Sequence, residues 1–495
     1  MTRTPIDIVR DKLARRARLR ADAGPRFREA PAGSVPVGAA PRARSERRRE
    51  PGPLARLVNR WWTRLLEAVY EGSLSEQEAR YEEGSTVRDY LWNTVGTTLW
   101  GFTFPALTVV ATQLAGAEGA GMFSMAFAVG TLLMIAANYG IRNYQVSDLE
   151  EVNSFASYQV NRWLTGALAL VAGILYCALR DYDASMTTIC LGVFVYKVLD
   201  GVGDVYEGRL QQADKLYLAG VSQALRSAAA IAGFTAVLLV TRSLEAASVG
   251  MAVAAAATFV LVTVPLALLE TEKSRRASSR EVVRLFRQGA ALFAALFLFN
   301  LIESMPKFAM EGALPYENQL YFNALYFPAQ GILLATGFIY KPQLVRLAGI
   351  WSNPRKRRRF DLVIAAVLAV VVAISVAVGA FMGWAGIPLM SFMYGLDFEP
   401  FRPLAYAMVA AGGVTAAIDF IYAIITVLRR QGDVMRLYLI AFAASAALPF
   451  VLVRVIGLAG AVASYLAVMA LLLGLLIWQY ARIRREIDRS RDPFA

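Results

Sequence analysis

Four ionisable residues, each three or four positions after the last, lie in a segment that is otherwise apolar enough to cross a membrane. Lys197, Asp200, Asp204 and Glu207 close the run "MTTICLGVFVYKVLDGVGDVYEG" at offsets of 0, 3, 7 and 10. At about 100° per helical residue their side chains fall within about 80° of one another, on one stripe. Ionisable groups inside a span cost roughly 3 kcal/mol each on insertion scales. They are therefore functional candidates.

A second stripe of the same kind occurs in "FNLIESMPKFAMEG", where Asn300, Glu303, Lys307 and Glu311 stand at offsets of 0, 3, 7 and 11. These side chains also fall within about 80° of one another on a helix. In the topology predicted below, the first stripe lines the inner half of the bilayer and the second the outer half. Pro306 is expected to loosen the backbone at mid-depth. Two such stripes are what a central polar route needs.

Three further ionisable residues, Arg142, Arg226 and Asp419, lie in or beside apolar runs. Arginine and lysine suit an anionic ligand, and the guanidinium fork suits phosphate in particular. Carboxylates in a span suit the movement of protons or other cations. The candidate substrate-binding residues are Arg142, Lys197, Arg226, Lys307 and Asn300, and the candidate coupling residues are Asp200, Asp204, Glu303 and Asp419.

Each of these residues also has a purely structural interpretation. Arg226 either binds ligand or forms a salt bridge to Asp200 or Asp204, and Lys197 and Asp200 can neutralise each other at i and i+3. Glu207 and Glu311 are interpreted as wetted groups at the membrane interface. The aromatic residues near the second stripe either stack on sugar or belong to an interfacial belt, and we favour the belt.

The composition is that of a membrane protein. Of 495 residues, 57% are hydrophobic and 18% are charged, below the usual quarter. The chain has no histidine and no phosphate-binding loop motif, which disfavours His-based catalysis and ATP hydrolysis. Cys177 and Cys190 lie in apolar runs without ligand-like spacing. We therefore expect a protein that is not an enzyme and has no catalytic residue, cofactor or metal.

Apolar stretches of the roughly 20 residues needed to cross hydrocarbon follow one another from Tyr90 onwards. The expected spans lie near 90–114, 120–140, 160–180, 185–207, 217–240, 245–269, 288–311, 319–340, 361–383, 402–428, 433–455 and 458–480. Lys and Arg cluster in the alternate loops that share a side with the N-terminus, so both termini are predicted to be cytoplasmic. The prediction is an all-α polytopic membrane protein of about twelve transmembrane helices, in two six-helix lobes of the same orientation.

The N-terminal region is strongly basic, and the net charge of the chain is +13. Residues 1–53 are predicted to be a disordered cytoplasmic tail. Residues 54–72 are an amphipathic helix that lies on the membrane surface or packs on the protein's own cytoplasmic loops. The expected partner of residues 1–72 is anionic lipid rather than nucleic acid. The other segments are a linker at 73–89, an N-terminal lobe at 90–270, a basic cytoplasmic linker at 271–287, a C-terminal lobe at 288–481 and a cytoplasmic tail at 482–495.

Several segments carry a family resemblance: "LAGAEGAGMFSMAFAVGTLL" with "GIRNYQVSD", then "LDGVGDVYEGRLQQADKLYLAG", and the closing "VRVIGLAGAVASYLAV". They resemble the bacterial polysaccharide-transport proteins, which are O-antigen and capsule oligosaccharide flippases of the multidrug/oligosaccharidyl-lipid/polysaccharide exporter superfamily. The resemblance covers roughly residues 88–482 and is strongest at 138–148 and 198–220.

The resemblance implies a V-shaped, alternating-access exporter in the bacterial inner membrane. Its cargo would be an undecaprenyl-diphosphate-linked oligosaccharide for surface polysaccharide such as O-antigen or exopolysaccharide, and other polysaccharide-assembly membrane proteins would be partners. The family's cationic lumen would correspond to Arg142, Lys197, Arg226 and Lys307. The acidic residues of the two stripes depart from a purely cationic cavity.

Two alternatives stay open. One is a cation-coupled multidrug or small-molecule exporter of the same superfamily, in which Glu303 would serve as the coupling carboxylate. The other, of a different class, is a membrane scaffold that transports nothing and recruits cytosolic proteins through the arginine-rich tail.

Overall fold

The computed structural model describes residues 74–489 except 149, 342–343, 345–346, 348–350, 352–356, 429 and 431–433, with side chains described from Arg88. The predicted disordered tail at 1–53 and amphipathic helix at 54–72 lie outside the described residues.

Every regular element in the described part of the chain is a helix. The first half comprises α1 (Leu74–Asn138), α2 (Arg142–Ser147), α3 (Phe155–Leu179), α4 (Ala184–Gln212), α5 (Leu216–Thr241), α6 (Leu244–Thr258) and α7 (Val264–Leu269), with a π-helical turn at Phe259–Thr263. The second half comprises α8 (Ser279–Met310), α9 (Glu317–Tyr340), α10 (Arg357–Phe381), α11 (Ile387–Tyr394), α12 (Arg402–Val427) and α13 (Val434–Arg489), with a π-helical turn at Met382–Gly386 and a 3₁₀ turn at Glu399–Phe401.

Ten helical segments among the described residues are long and apolar enough to cross a membrane. Two of them, Arg88–Ser147 with 60 residues and Val434–Glu486 with 53, are long enough to cross twice. Each contains a glycine in the left-handed region, Gly116 with φ 82° and Gly457 with φ 59°, so each breaks between two crossings. The predicted all-helical, polytopic fold with about twelve crossings is therefore confirmed.

Short loops and side-chain caps separate the crossings. Asp183 caps α4 by accepting the Met186 N–H at 2.8 Å, and Ser243 caps α6 by accepting the Ala246 N–H at 3.1 Å. We call the end of the helices that carries the breaks at Gly116 and Gly457 the Gly116 end. The opposite end, which carries the turn at Gly140, is the Gly140 end. The sequence predicts that the Gly116 end faces outwards.

The helices pack into two lobes that meet along α1. In the first lobe α1 packs on α4 and α5, and α6 packs on α4 and α5; in the second, α8 and α12 pack on α13, and α9 packs on α12. Across the lobes, Gly121 of α1 touches the main chain of Tyr316, and a Cβ atom at 121 would overlap the Tyr316 carbonyl oxygen. Near the Gly140 end, the ring of Tyr139 stacks on that of Phe293 with centroids 4.7 Å apart.

Two segments interpreted as linkers are helical in part. Helix α1 begins at Leu74, inside the linker predicted at 73–89, and α8 begins at Ser279, inside the linker predicted at 271–287. Both stretches are polar, so hydropathy does not mark them as spans, but they are rich in Glu and Arg, which favour helix. Likewise, α13 continues to Arg489 within the predicted cytoplasmic tail.

Candidate functional site

A cavity of about 170 Å³ lies where the two lobes meet. Helices α1 and α4 supply one wall, and α8, α9 and α13 supply the other. The polar side chains that line it are Thr131, Lys197, Asn300, Glu303, Ser304, Lys307, Asn323 and Gln330, and the aromatic ones are Trp100, Phe104, Phe127, Phe322, Tyr326 and Tyr465. The two polar stripes of the sequence thus contribute to one cavity, and several of the aromatic residues assigned to an interfacial belt face it.

Lys197 is the cation of the first wall. Its side chain is buried, and its Nζ lies 4.1 Å from the centroid of the Phe127 ring, 5.3 Å from Trp100 and 5.4 Å from Tyr196. Within the described part of the chain, no carboxylate lies at ion-pairing distance from this ammonium group. Ring faces attract a cation but compensate only part of its lost hydration. Lys197 is therefore a buried cation whose neighbours in the cavity are ring faces.

The opposite wall carries Glu303 and Lys307, one helical turn apart on α8. Oε1 of Glu303 accepts hydrogen bonds from the hydroxyls of Tyr326 at 3.2 Å and Tyr465 at 3.3 Å. The Nζ of Lys307 lies 5.5 Å from the centroid of the Tyr326 ring. Asn300, a turn below, donates to the backbone carbonyl of its own helix. The wall thus presents an acid held by neutral hydroxyls beside a lysine.

Arg226 is buried away from the cavity, in an ion-pair network with two carboxylates of α4. Its Nε lies 2.7 Å from Oδ1 of Asp200, and one terminal nitrogen lies 2.8 Å from Oε1 of Glu207. The same nitrogen donates to the Thr263 hydroxyl at 3.2 Å. Of the two carboxylates expected to pair with Arg226, the structure brings Asp200 to it. Glu207, interpreted from the sequence as a wetted interface group, is buried because Arg226 compensates its charge.

Asp204 binds two other arginines near the Gly140 end. One carboxylate oxygen pairs with Arg142, and the other lies 3.0 Å from a terminal nitrogen of Arg162. Arg162 also donates to the carbonyls of Ala137 and Asn138, which end α1. Sequence reasoning missed Arg162, whose position at the polar start of the third span made it look like an ordinary interfacial residue.

These contacts match the three carboxylates of the α4 stripe with arginines. The three carboxylates Asp200, Asp204 and Glu207 are matched by the three arginines Arg142, Arg162 and Arg226. Each carboxylate has at least one guanidinium at ion-pairing distance, as buried charges require. The cation of the α4 stripe that stays outside this balance is Lys197.

Asp419 does not line the cavity. Its carboxylate accepts the hydroxyl of Tyr340 at 2.5 Å and lies 4.0 Å from Nζ of Lys341. Its partners thus differ from those of Glu303, which is held by Tyr326 and Tyr465.

Glu311 joins the two lobes at the Gly116 end. Its buried carboxylate accepts the hydroxyls of Tyr176 and Tyr182 and lies 2.7 Å from a terminal nitrogen of Arg180, all three from the other lobe. Burial, reinforced by the hydrogen bond to Glu311, raises the pKa of the Tyr182 phenol, which keeps it a donor. Glu311 was interpreted from the sequence as a wetted interface group; it is buried because these donors replace water.

Together, the apolar helices and the packing define a multi-pass membrane protein of two helical lobes with a cavity between them. No family model and no curated protein matches the sequence. Solved structures do match. One is a MOP superfamily transporter from Pyrococcus furiosus, described by the reverse polarity of its binding pocket, with 13% identity over 80% of this chain and 95% of that one at a TM-score of 0.56.

Two others are MATE transporters. The multidrug transporter DinF-BH, solved as a complex, has 13% identity, covers 80% of this chain and 94% of its own, and gives a TM-score of 0.57. A multidrug resistance MATE transporter in an inward-facing conformation has 12% identity, covers 81% of this chain and 99% of its own, and gives 0.55. The chain therefore has the two-lobed fold of MOP superfamily transporters.

Proposed function

We propose that this protein is an alternating-access flippase that moves a polyprenyl-diphosphate-linked oligosaccharide across the cytoplasmic membrane of a bacterium, for surface polysaccharide synthesis. The observation that carries the proposal is Lys197, a buried cation that faces the cavity between the lobes while the carboxylates near it on α4 are matched by arginines. Such a cation favours a cargo that brings its own negative charge. Both termini are proposed to be cytoplasmic.

The headgroup would enter the cavity while its lipid tail stays in hydrocarbon. Lys197 and Lys307 would replace water around the diphosphate, and Asn300 and the cavity tyrosines would hydrogen-bond to sugar. A cavity of about 170 Å³ holds roughly the volume of five or six water molecules, which is too small for an oligosaccharide. Transport of this cargo therefore requires the lobes to separate.

Arg142 and Arg226 are the other two candidate substrate cations. We propose that they meet the cargo after the lysines do, or act on it through the carboxylates that they bind. Arg226 is bound to Asp200 and Glu207, and leaving them would create an uncompensated buried charge, at a cost of about 3 kcal/mol or more. Arg142 is bound to Asp204 and does not line the cavity. The first contact with the diphosphate is therefore assigned to the two lysines. Anionic lipid at residues 1–72 and other polysaccharide-assembly proteins are further proposed partners.

A second candidate function is supported by Glu303. A carboxylate held by two tyrosine hydroxyls in an aromatic cavity also suits an organic cation or a coupling ion. Two of the similar structures are of multidrug transporters. The chain would then be a cation-coupled multidrug exporter.

The two candidates differ in the charge and lipid anchor of their cargo. In proteoliposomes, we would measure flipping of a fluorescent polyprenyl-diphosphate sugar, and in cells the efflux of a cationic dye. The flippase proposal expects flipping that stops when the diphosphate is replaced by an uncharged link, together with no dye efflux. Dye efflux without flipping would contradict it and favour the multidrug exporter.

A further inference from the structure

Lys197 and Asp200 stand one helical turn apart on α4, at i and i+3, where a lysine and an aspartate normally neutralise each other. In the structure, Asp200 has other partners. Oδ1 of Asp200 lies 2.7 Å from Nε of Arg226, and Oδ2 accepts the indole N–H of Trp100 at 3.0 Å. Both carboxylate oxygens of Asp200 are therefore occupied by donors from other helices.

These two donors are themselves held in place. The other arm of Arg226 is bound by Glu207 at 2.8 Å and by the Thr263 hydroxyl at 3.2 Å, so the guanidinium cannot follow Asp200 towards the cavity. The Trp100 ring lines the cavity and lies 5.3 Å from the Lys197 ammonium. Trp100 thus touches Asp200 through its N–H and faces Lys197 with its ring.

We propose that Trp100 and Arg226 are positioning residues that hold the Asp200 carboxylate away from Lys197 and so reserve the Lys197 charge for a phosphate in the cavity. Without the Trp100 N–H, Oδ2 of Asp200 is an unsatisfied buried oxygen one helical turn from Lys197. Arg226 is held at Oδ1 and by Glu207, so Lys197 is the cation that can turn to Oδ2, as an uncompensated buried oxygen favours. The cavity would then lose its preference for anions although Lys197 is intact. This inference rests on the proposed function, since it takes the cavity as the diphosphate site.

Trp100→Phe tests the inference because it keeps an aromatic ring in the cavity wall but removes the five-membered ring that carries the N–H. The purified full-length protein in nanodiscs would be titrated with geranylgeranyl diphosphate and with geranylgeraniol, and the ratio of the two affinities measures charge-specific binding. We expect the ratio to fall about tenfold in Trp100→Phe, as the loss of one charge-assisted contact implies. The matched control is Trp163→Phe, because Trp163 donates its indole N–H to Tyr206 outside the cavity.

The rescue variant separates positioning from structural support. In Trp100→Phe/Asp200→Asn, no carboxylate remains to capture Lys197, so the ratio should return towards that of the wild type. A ratio unchanged in Trp100→Phe, or a double variant no better than the single one, would overturn the inference while leaving the proposed function standing. A wild-type protein that binds both compounds equally would overturn both.

Discussion

Glu311, in the loop that follows α8, accepts a hydrogen bond from the hydroxyl of Tyr182, in the loop between α3 and α4. With Tyr176 and Arg180 as further partners, this contact ties the second lobe to the first at the Gly116 end. Charge-assisted hydrogen bonds of this kind are stronger than neutral ones. Separation of the lobes at that end must break all three contacts.

We predict that Tyr182→Phe increases the population in which the Gly116 end is open. The loss of one hydrogen bond to a charged acceptor should shift the equilibrium about tenfold, as roughly 1.5 kcal/mol implies. Spin labels at 184 and 317, on opposite lobes, would be introduced in a variant lacking Cys177 and Cys190. Double electron–electron resonance should then show a larger long-distance fraction.

The control for that measurement is Ser185→Ala. Ser185 donates to Glu245 at the same end but within one lobe, so its loss should leave the distance distribution unchanged. Equal distance distributions in Tyr182→Phe and in the labelled protein that keeps Tyr182 would mean that the contact between Tyr182 and Glu311 does not hold the lobes together.

Asp204→Asn is predicted to destabilise the protein by about 3 kcal/mol, because it leaves the buried Arg162 guanidinium without its carboxylate. Thermal unfolding in detergent should show a lower midpoint. Glu118→Gln, which neutralises an exposed carboxylate, should leave the midpoint within error. A midpoint for Asp204→Asn equal to that of Glu118→Gln would show that the network adds nothing to stability.

Glu303→Gln is predicted to remove the stimulation of transport by a pH gradient. The hydroxyls that hold this carboxylate are neutral, so it can take up and release a proton without breaking an ion pair. Asp200 and Asp204, by contrast, would have to leave arginines. The measurement is the rate of transport into or out of proteoliposomes with and without an imposed pH gradient. Asp419 does not line the cavity, so Asp419→Asn should keep the stimulation. If Asp419→Asn abolished the stimulation and Glu303→Gln did not, the coupling role would have to be assigned to Asp419.

The fold could be predicted from the sequence because span length and loop charge are local properties. The helix breaks at Gly116 and Gly457 fall in the gaps between predicted spans. The two stripes were also visible, since helical spacing alone fixes which side chains share a face. Lys197 and Lys307 could therefore be named as cavity cations without a structure.

The pairing of the buried charges could not be predicted in the same way. Which carboxylate Arg226 reaches depends on how α5 packs on α4, and the structure adds Glu207 to Asp200. Arg162 and Trp100 escaped notice because one stands at the start of a span and the other resembles an interfacial aromatic. Glu311 looked exposed because its partners come from the other lobe, from the last turn of α3 and the loop that follows it.

The most direct test of the account is the flipping rate of Lys197→Gln/Lys307→Gln with a polyprenyl-diphosphate-linked sugar in proteoliposomes. The control is Lys341→Gln, which removes an exposed lysine. We predict a loss of at least about tenfold in the double variant, as the removal of charge-assisted contacts to phosphate implies, and a rate near that of the wild type in the control. Equal rates in the double variant and the wild type would contradict the claim that these lysines bind an anionic cargo.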